Sequence, residues 1–254
     1  MNKCPKCGYE RTAVDAGPAG ICGGCGLVFA KWVERTLGTA RLPREMAPDD
    51  EESGGWLHEV VARIGYIEPR PDPMIFWGRA AIYAVFFVWG WYFILLDLRT
   101  NDIGHSFMHR IDLVFHEAGH VVFIPFGRFM TILGGSLGQL LMPMIVGAAL
   151  LIKNQDTFGG SIALWWLGQS LMDLAPYIGD ARALQLQLVG GGTGQDRPGV
   201  HDWENILLDL NLIEQDMRIA AGANALGIFI VLTALAWGAY VLLHQYRNMK
   251  SEST

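Results

Sequence analysis

The chain has 254 residues, 51% of them hydrophobic and only 17% charged, with a formal net charge of −6. Soluble domains carry about 25% charged residues, so the composition points to an integral membrane protein. No basic stripe interleaved with aromatics occurs, so direct nucleic-acid binding is not expected.

The chain begins "MNKCPKC", a polar start that does not read as a cleavable signal peptide. All four cysteines lie in two knuckles, "CPKCGY" and "CGGCGLVF", and fourteen residues separate the pairs. Two C-x2-C pairs at this spacing present four thiolates tetrahedrally, the donor set of structural zinc. Cys4, Cys7, Cys22 and Cys25 are therefore expected to hold one zinc ion in a ribbon-like module over residues 1–32. Gly8 and Gly26 follow the pairs and permit the tight turns. Two disulfides, or iron in a rubredoxin-like site, are the alternatives. A metal-bound ribbon implies a reducing compartment and hence a cytoplasmic N-terminus. Four cysteines close the coordination shell, so the module suits recruitment of a regulatory partner rather than catalysis. Residues 33–73 read as a Pro/Gly/acidic linker, with "WLHEVVARIGYI" as a short interfacial helix in which His58 and Glu59 are solvated.

Three windows are long, apolar and uncharged: 80–96, 129–152 and 219–243. Spanning a bilayer takes about 20 mostly apolar residues, with roughly 17 as the lower limit. Two further windows are apolar but carry ionisable or polar groups. Residues 107–126 hold Asp112, His116, Glu117 and His120; residues 158–179 hold Gln169 and Asp173, with Asp180 just beyond. Polar groups at membrane depth usually face a bundle interior and mark function. The expected fold is thus an all-α polytopic membrane bundle of about five segments over 74–245, with a short tail at 246–254. Sparse basic residues near both ends give a weak positive-inside bias and leave the C-terminal side open.

The central motif is "IDLVFHEAGHVVFIPF", residues 111–126. Residues four apart share a helix face, so His116 and His120 can bind one zinc ion. Glu117 then stands where a general base would take a proton from a water on that zinc. A catalytic zinc site needs a third protein ligand and an open position. The candidates are Asp173 and Asp180 in "MDLAPYIGDA" and His201 in "GVHDWENIL". Asp112 is a candidate acceptor for the N–H of a ligand imidazole. If one helix runs from 105 to 120, His105, His109, Asp112, His116 and His120 share one face. His105 would then stand about 16 Å from His116, too far for the same ion. That stripe reads as a hydrated path, a second metal at His105/His109, or two histidines at the water boundary. Further on, "LVGGGTGQDRPGV" lacks a Gly-Lys-Ser/Thr ending and reads as a flexible loop gating the site. "DWENILLDLNLIEQDM" places Trp203, Ile206, Leu207, Leu210 and Ile213 at helical spacing, an amphipathic helix.

"HEAGH", then "GGSLGQLLMP", then "DLAPYIGDA" together resemble the site-2-protease family of intramembrane zinc metalloproteases. The resemblance covers roughly residues 107–185 and is sharpest at His-Glu-x-x-His. Gly135-Ser136-Leu137-Gly138-Gln139 stands where the family has a Gly-Pro-x-x-Asn-like turn. Asp173-Leu174-Ala175-Pro176 stands for its Asn-x-x-Pro, and Gly179-Asp180-Ala181 for its Leu-Asp-Gly. The resemblance implies Asp180 as third ligand, ahead of His201 and Asp173, with Asp173 alternatively orienting a ligand or substrate backbone. It implies hydrolysis of membrane-embedded peptide substrates by Glu117 and one catalytic zinc. Two other classes stay open. One is a non-catalytic metal-binding adaptor working through its ribbon. The other is a di-iron membrane oxygenase using "HSFMH" and "HEAGH" as histidine boxes.

Overall fold

A computed structural model describes residues 3–4, 6–9, 21–22, 24–25, 27, 62–69 and 71–251. The chain divides into two compact units, Met1–Gly54 and Gly55–Thr254. Gly26, His58, Glu59 and most of the 33–73 linker lie outside the described residues.

In the first unit the two knuckles repeat one backbone pattern. Cys4 N–H donates to Tyr9 O (2.8 Å) and Cys22 N–H to Leu27 O (2.9 Å). These turns converge the four sulfurs, with Cys4 against Cys25 at 3.8 Å and Cys7 against Cys22 at 3.7 Å. No disulfide joins them.

The second unit is helical; among the described residues its only β pairing is an isolated bridge, Gln187 to Thr193. Its longer helices among the described residues are α1 (Pro73–Ile94), α2 (Phe107–Val122), α3 (Arg128–Lys153), α4 (Thr157–Gly179), α5 (Asp202–Asp209) and α6 (Asp216–Ser251), and residues 62–64 are also helical. Three helical stretches are long and apolar enough to cross a membrane: Pro73–Ile94, Arg128–Lys153 and Ile213–Lys250. α1 starts seven residues before its apolar window because Asp72 caps it, accepting from the N–H groups of Met74 and Ile75, with Pro73 preset in the first turn. α6 runs to Ser251, past the expected tail boundary at 246. There Tyr246 stacks on Phe76 at 5.9 Å, so packing against α1 accompanies the extra turns.

α2 and α4 carry the polar groups and differ from these three. α2 has 16 residues, about 24 Å, short of a ~30 Å hydrocarbon core. It starts at Phe107, not at 105: Ser106 caps it by accepting from His109 N–H, and His105 sits outside in a short 3-10 turn. α4 is the central helix, with fifteen of its 23 residues buried. Packing against it is close because glycine permits it. A Cβ added at Gly168 would meet Gly227 O at 2.7 Å, and one at Gly227 would meet Gly168 O at 2.6 Å. Phe93, Trp165, Met172 and Val231 form the apolar core where α1, α4 and α6 meet.

The amphipathic helix expected over 202–217 is broken. Asn211 takes a left-handed conformation (φ 57), and Leu212 N–H returns to Leu207 O at 2.8 Å, a glycine-like stop made by asparagine. α5 therefore ends at Asp209, and the chain turns before entering α6. Arg182 ties that turn to the end of α4, donating to both carboxylate oxygens of Asp216 at 2.9 and 2.7 Å.

Candidate metal centre

α2 and α3 run against each other at glycines. A Cβ at Gly119 would strike Gly134 O, and one at Gly138 would lie 2.8 Å from the Cα of Gly119. This approach brings the His116/His120 face of α2 onto Gly135 of α3. A Cβ there would stand 2.5 Å from His116 Nε2 and 2.6 Å from His120 Nε2. Glycine at 135 leaves the space in which the two imidazoles converge.

The third side chain comes from α5. Asp202 Oδ2 lies 3.1 Å from His116 Nε2 and 3.3 Å from His120 Nε2. Each candidate ligand atom of His116, His120 and Asp202 lies within 4.8 Å of the others. Zinc–nitrogen bonds of about 2.0–2.1 Å place tetrahedral corners about 3.3 Å apart, which matches both separations.

The hydrogen bonds behind the rings decide what the front atoms are. His120 Nδ1 lies 2.8 Å from Thr131 O. A carbonyl only accepts, so Nδ1 carries a proton, and in the neutral ring Nε2 presents a lone pair. Gln139 Nε2 donates to Ser170 O and Asp173 Oδ2, both at 3.2 Å. That fixes the amide with Oε1 toward His116 Nδ1 at 3.3 Å, so this imidazole also donates backward and presents its Nε2 lone pair forward. Two imidazole lone pairs and a carboxylate oxygen thus face one another, mostly shielded from water. With the rings neutral, such a set of acceptors could hold a single metal ion; without one, a proton on an imidazole fills the same place.

The structure brings Asp202 to the pair, and none of the three residues expected as third ligand. Asp180 does not reach the pair; its oxygens accept from Gln185 N–H and Leu186 N–H at 2.9 Å each. His201 Nδ1 accepts from Glu204 N–H at 3.2 Å, capping α5, which leaves its Nε2–H facing Asp180 Oδ2 at 3.4 Å. Burial pushes the Asp180 carboxyl up, but His201 and the two backbone N–H groups outweigh it and hold it below the usual carboxylate range. The two favoured candidates therefore face each other rather than the imidazole pair, at ion-pair distance and without a hydrogen bond. Together they anchor the start of α5, whose first residue is Asp202. Asp173 is engaged by His109 Nδ1 at 3.0 Å and by Gln139. Asp112, expected behind a ligand imidazole, instead accepts from Trp166 Nε1 at 2.7 Å and Ser170 Oγ at 3.0 Å, because its turn of α2 faces α4. The histidine stripe is likewise split: His109 joins Asp173, and His105 is exposed outside the helix.

Sequence reasoning missed Asp202 and Tyr177, and it placed Gln139 in a motif without giving it a role. Tyr177 Oη donates to Asp202 Oδ2 at 3.2 Å and accepts from Asp202 N–H at 3.0 Å, holding the residue by side chain and backbone. The available signal was "HDW": an acid at the first position of a helix directly after a candidate histidine.

A cavity of about 580 Å³ opens on the cluster, lined by His116, His120, Asp202, Glu117, Tyr177 and His109 among others. Glu117 is exposed to it. The glycine loop forms another wall, through Leu186, Leu188 and Val189. There the chain folds back with Leu188 N–H to Gly192 O at 2.9 Å, over Gly190, Gly191 and Gly192 at φ +86, +88 and +78. No family model, no curated protein and no solved structure matches the chain.

Proposed function

We propose that the protein is a zinc-dependent intramembrane metalloprotease, similar in its site to the site-2-protease family, with Asp202 in place of Asp180 as third ligand. The observation that carries the reading is the convergence of His116 Nε2, His120 Nε2 and Asp202 Oδ2 on one cavity that Glu117 also lines. Three protein ligands leave a fourth position for the reaction, whereas a structural zinc site uses four. Asp180 accepts from Gln185 and Leu186 N–H and His201 caps α5, so neither closes the shell, which favours an enzyme over a metal-binding adaptor. The pairing of His109 with Asp173 leaves no histidine box for a di-iron oxygenase.

Zinc held by these residues would polarise the scissile carbonyl and acidify the attacking water. Glu117 accepts the proton of that water as its oxygen bonds to the carbonyl carbon. It then delivers a proton to the amide nitrogen as the C–N bond breaks. Gln139 and Thr131 O keep both imidazoles facing the site, and Tyr177 holds Asp202. In this reading α2 and α4 are membrane-embedded segments beside the three spanning helices, about five in all. The substrate is a peptide of a membrane protein, unwound so that its carbonyl reaches the cavity. The cysteine cluster holds a structural zinc ion and recruits a regulatory partner on the cytoplasmic side. Glu117→Gln tests the mechanism: zinc content stays at the wild-type level and cleavage of membrane-embedded substrates falls at least a hundredfold. Persisting cleavage with zinc retained refutes it.

A further inference from the structure

The second unit carries another built feature, unrelated to the metal cluster. At the end of the bundle where α1 starts, α3 turns into α4 and α6 finishes, a polar pocket of about 190 Å³ is lined by Glu68, Arg79, Asn154, Asp156 and Gln245 among others. An apolar groove of about 410 Å³ adjoins it, bounded by Ile82 and Phe86 of α1, Ile111 of α2, Leu150 of α3 and Ile162 and Trp166 of α4. Arg79 and Asp156 line both, so the two adjoin across this ion pair. From Arg79 to Phe86 the groove follows α1 for about 10 Å away from the helix ends. A polar pocket at helix-end level leading into an apolar channel along the helices has the layout of a lipid head and its chain.

The polar groups define the head. Arg79 donates to Glu68 Oε2 at 3.1 Å and Asp156 Oδ1 at 3.3 Å, and its guanidinium lies 6.0 Å from the ring centre of Phe158 in the groove. One cation against two carboxylates leaves the lining one negative charge in excess. Gln245 adds a second indication: it is 2% exposed, lines the pocket, and its Oε1 has no hydrogen-bond partner. An orphaned buried acceptor beside surplus carboxylate calls for a donor with positive charge.

We propose that this pocket and groove bind a phospholipid with a primary-amine head. One acyl chain lies between α1 and α2/α3, the phosphate sits at Arg79, and the ammonium lies among Glu68, Asp156 and Gln245. A quaternary ammonium has no N–H to give Gln245, and a glycerol head brings no positive charge, so both bind more weakly.

The test uses the full-length protein in detergent and native mass spectrometry against phosphatidylethanolamine, phosphatidylcholine and phosphatidylglycerol of identical chains. The amine lipid is expected to bind about tenfold more tightly than the other two, the worth of one charge-assisted hydrogen bond. Gln245→Leu and the more exposed Glu68→Gln each reduce that preference to about twofold. Ile162→Trp, which fills the groove, weakens all three lipids. Equal binding of the three lipids, an unchanged preference in both head-pocket variants, or a dimer that Ile162→Trp dissociates would each overturn the proposal. Zinc content and cleavage do not enter the readout, so the outcome is independent of the proposed protease activity.

Discussion

Gly135→Ala places one methyl group against the His116/His120/Asp202 cluster and leaves every candidate ligand intact. The new Cβ would stand 2.5 Å from His116 Nε2 and 2.6 Å from both Cε1 and Nε2 of His120, where ordinary contact begins at 3.4 Å. The imidazoles must withdraw by about 0.8 Å, or α3 must move away from α2. α3 has little freedom to move, because Gly134 and Gly138 hold it against the backbone of α2 on either side. Metal sites tolerate shifts of only about 0.2 Å in ligand distance. Zinc affinity, measured by chelator competition on the purified protein, is therefore expected to fall ten- to a hundredfold, the usual effect of displacing a ligand's support. Helix stability moves the other way, since alanine is favoured over glycine by about 1 kcal/mol inside a helix. The melting temperature of the metal-free protein should thus stay level or rise. Wild-type zinc affinity in Gly135→Ala would show that the rings do not converge where the structure places them.

Asp202→Asn should lower zinc affinity at least tenfold, while Asp180→Asn should leave zinc bound and act on the anchoring of α5; equal zinc loss in both would restore Asp180 as the ligand. Gln139→Leu removes the acceptor behind His116 and should cost ten- to a hundredfold in zinc affinity, read by the same competition. Asp180 also sets a pH dependence. Its folded carboxyl lies below the ordinary value of about 3.9, so its contribution is fully present above that pH. It is lost as the pH falls through the lower folded value, and hydrogen exchange at Gln185 and Leu186 amides should rise there in wild type but be pH-independent, beyond intrinsic exchange, in Asp180→Asn. Gly227→Leu forces α4 and α6 apart and should destabilise the bundle by about 1–3 kcal/mol, seen as a lower melting temperature in detergent.

What the chain shows by itself is local. The C-x2-C pairs converge because each pair is one turn, and the next turn repeats it. His116 and His120 share a face because a helix brings residues four apart together, and the three apolar stretches announce themselves by length. The polar content of α2 and α4 set them apart from the three apolar helices. The third residue of the cluster could not be read this way. Asp180, His201 and Asp202 all follow the glycine loop or precede it, and their spacing to His116 carries no geometric information. Tertiary structure chose among them by direction. His201 is the extended cap residue of α5 and turns its ring back to Glu204 N–H and Asp180, whereas Asp202, one residue on, is helical and points at the imidazoles. Gln139 was equally silent, since an amide becomes a tautomer-setting group only once Ser170 and Asp173 of α4 fix its orientation. Local periodicity decides which residues share a face; only the packing of α2, α3, α4 and α5 decides what that face meets.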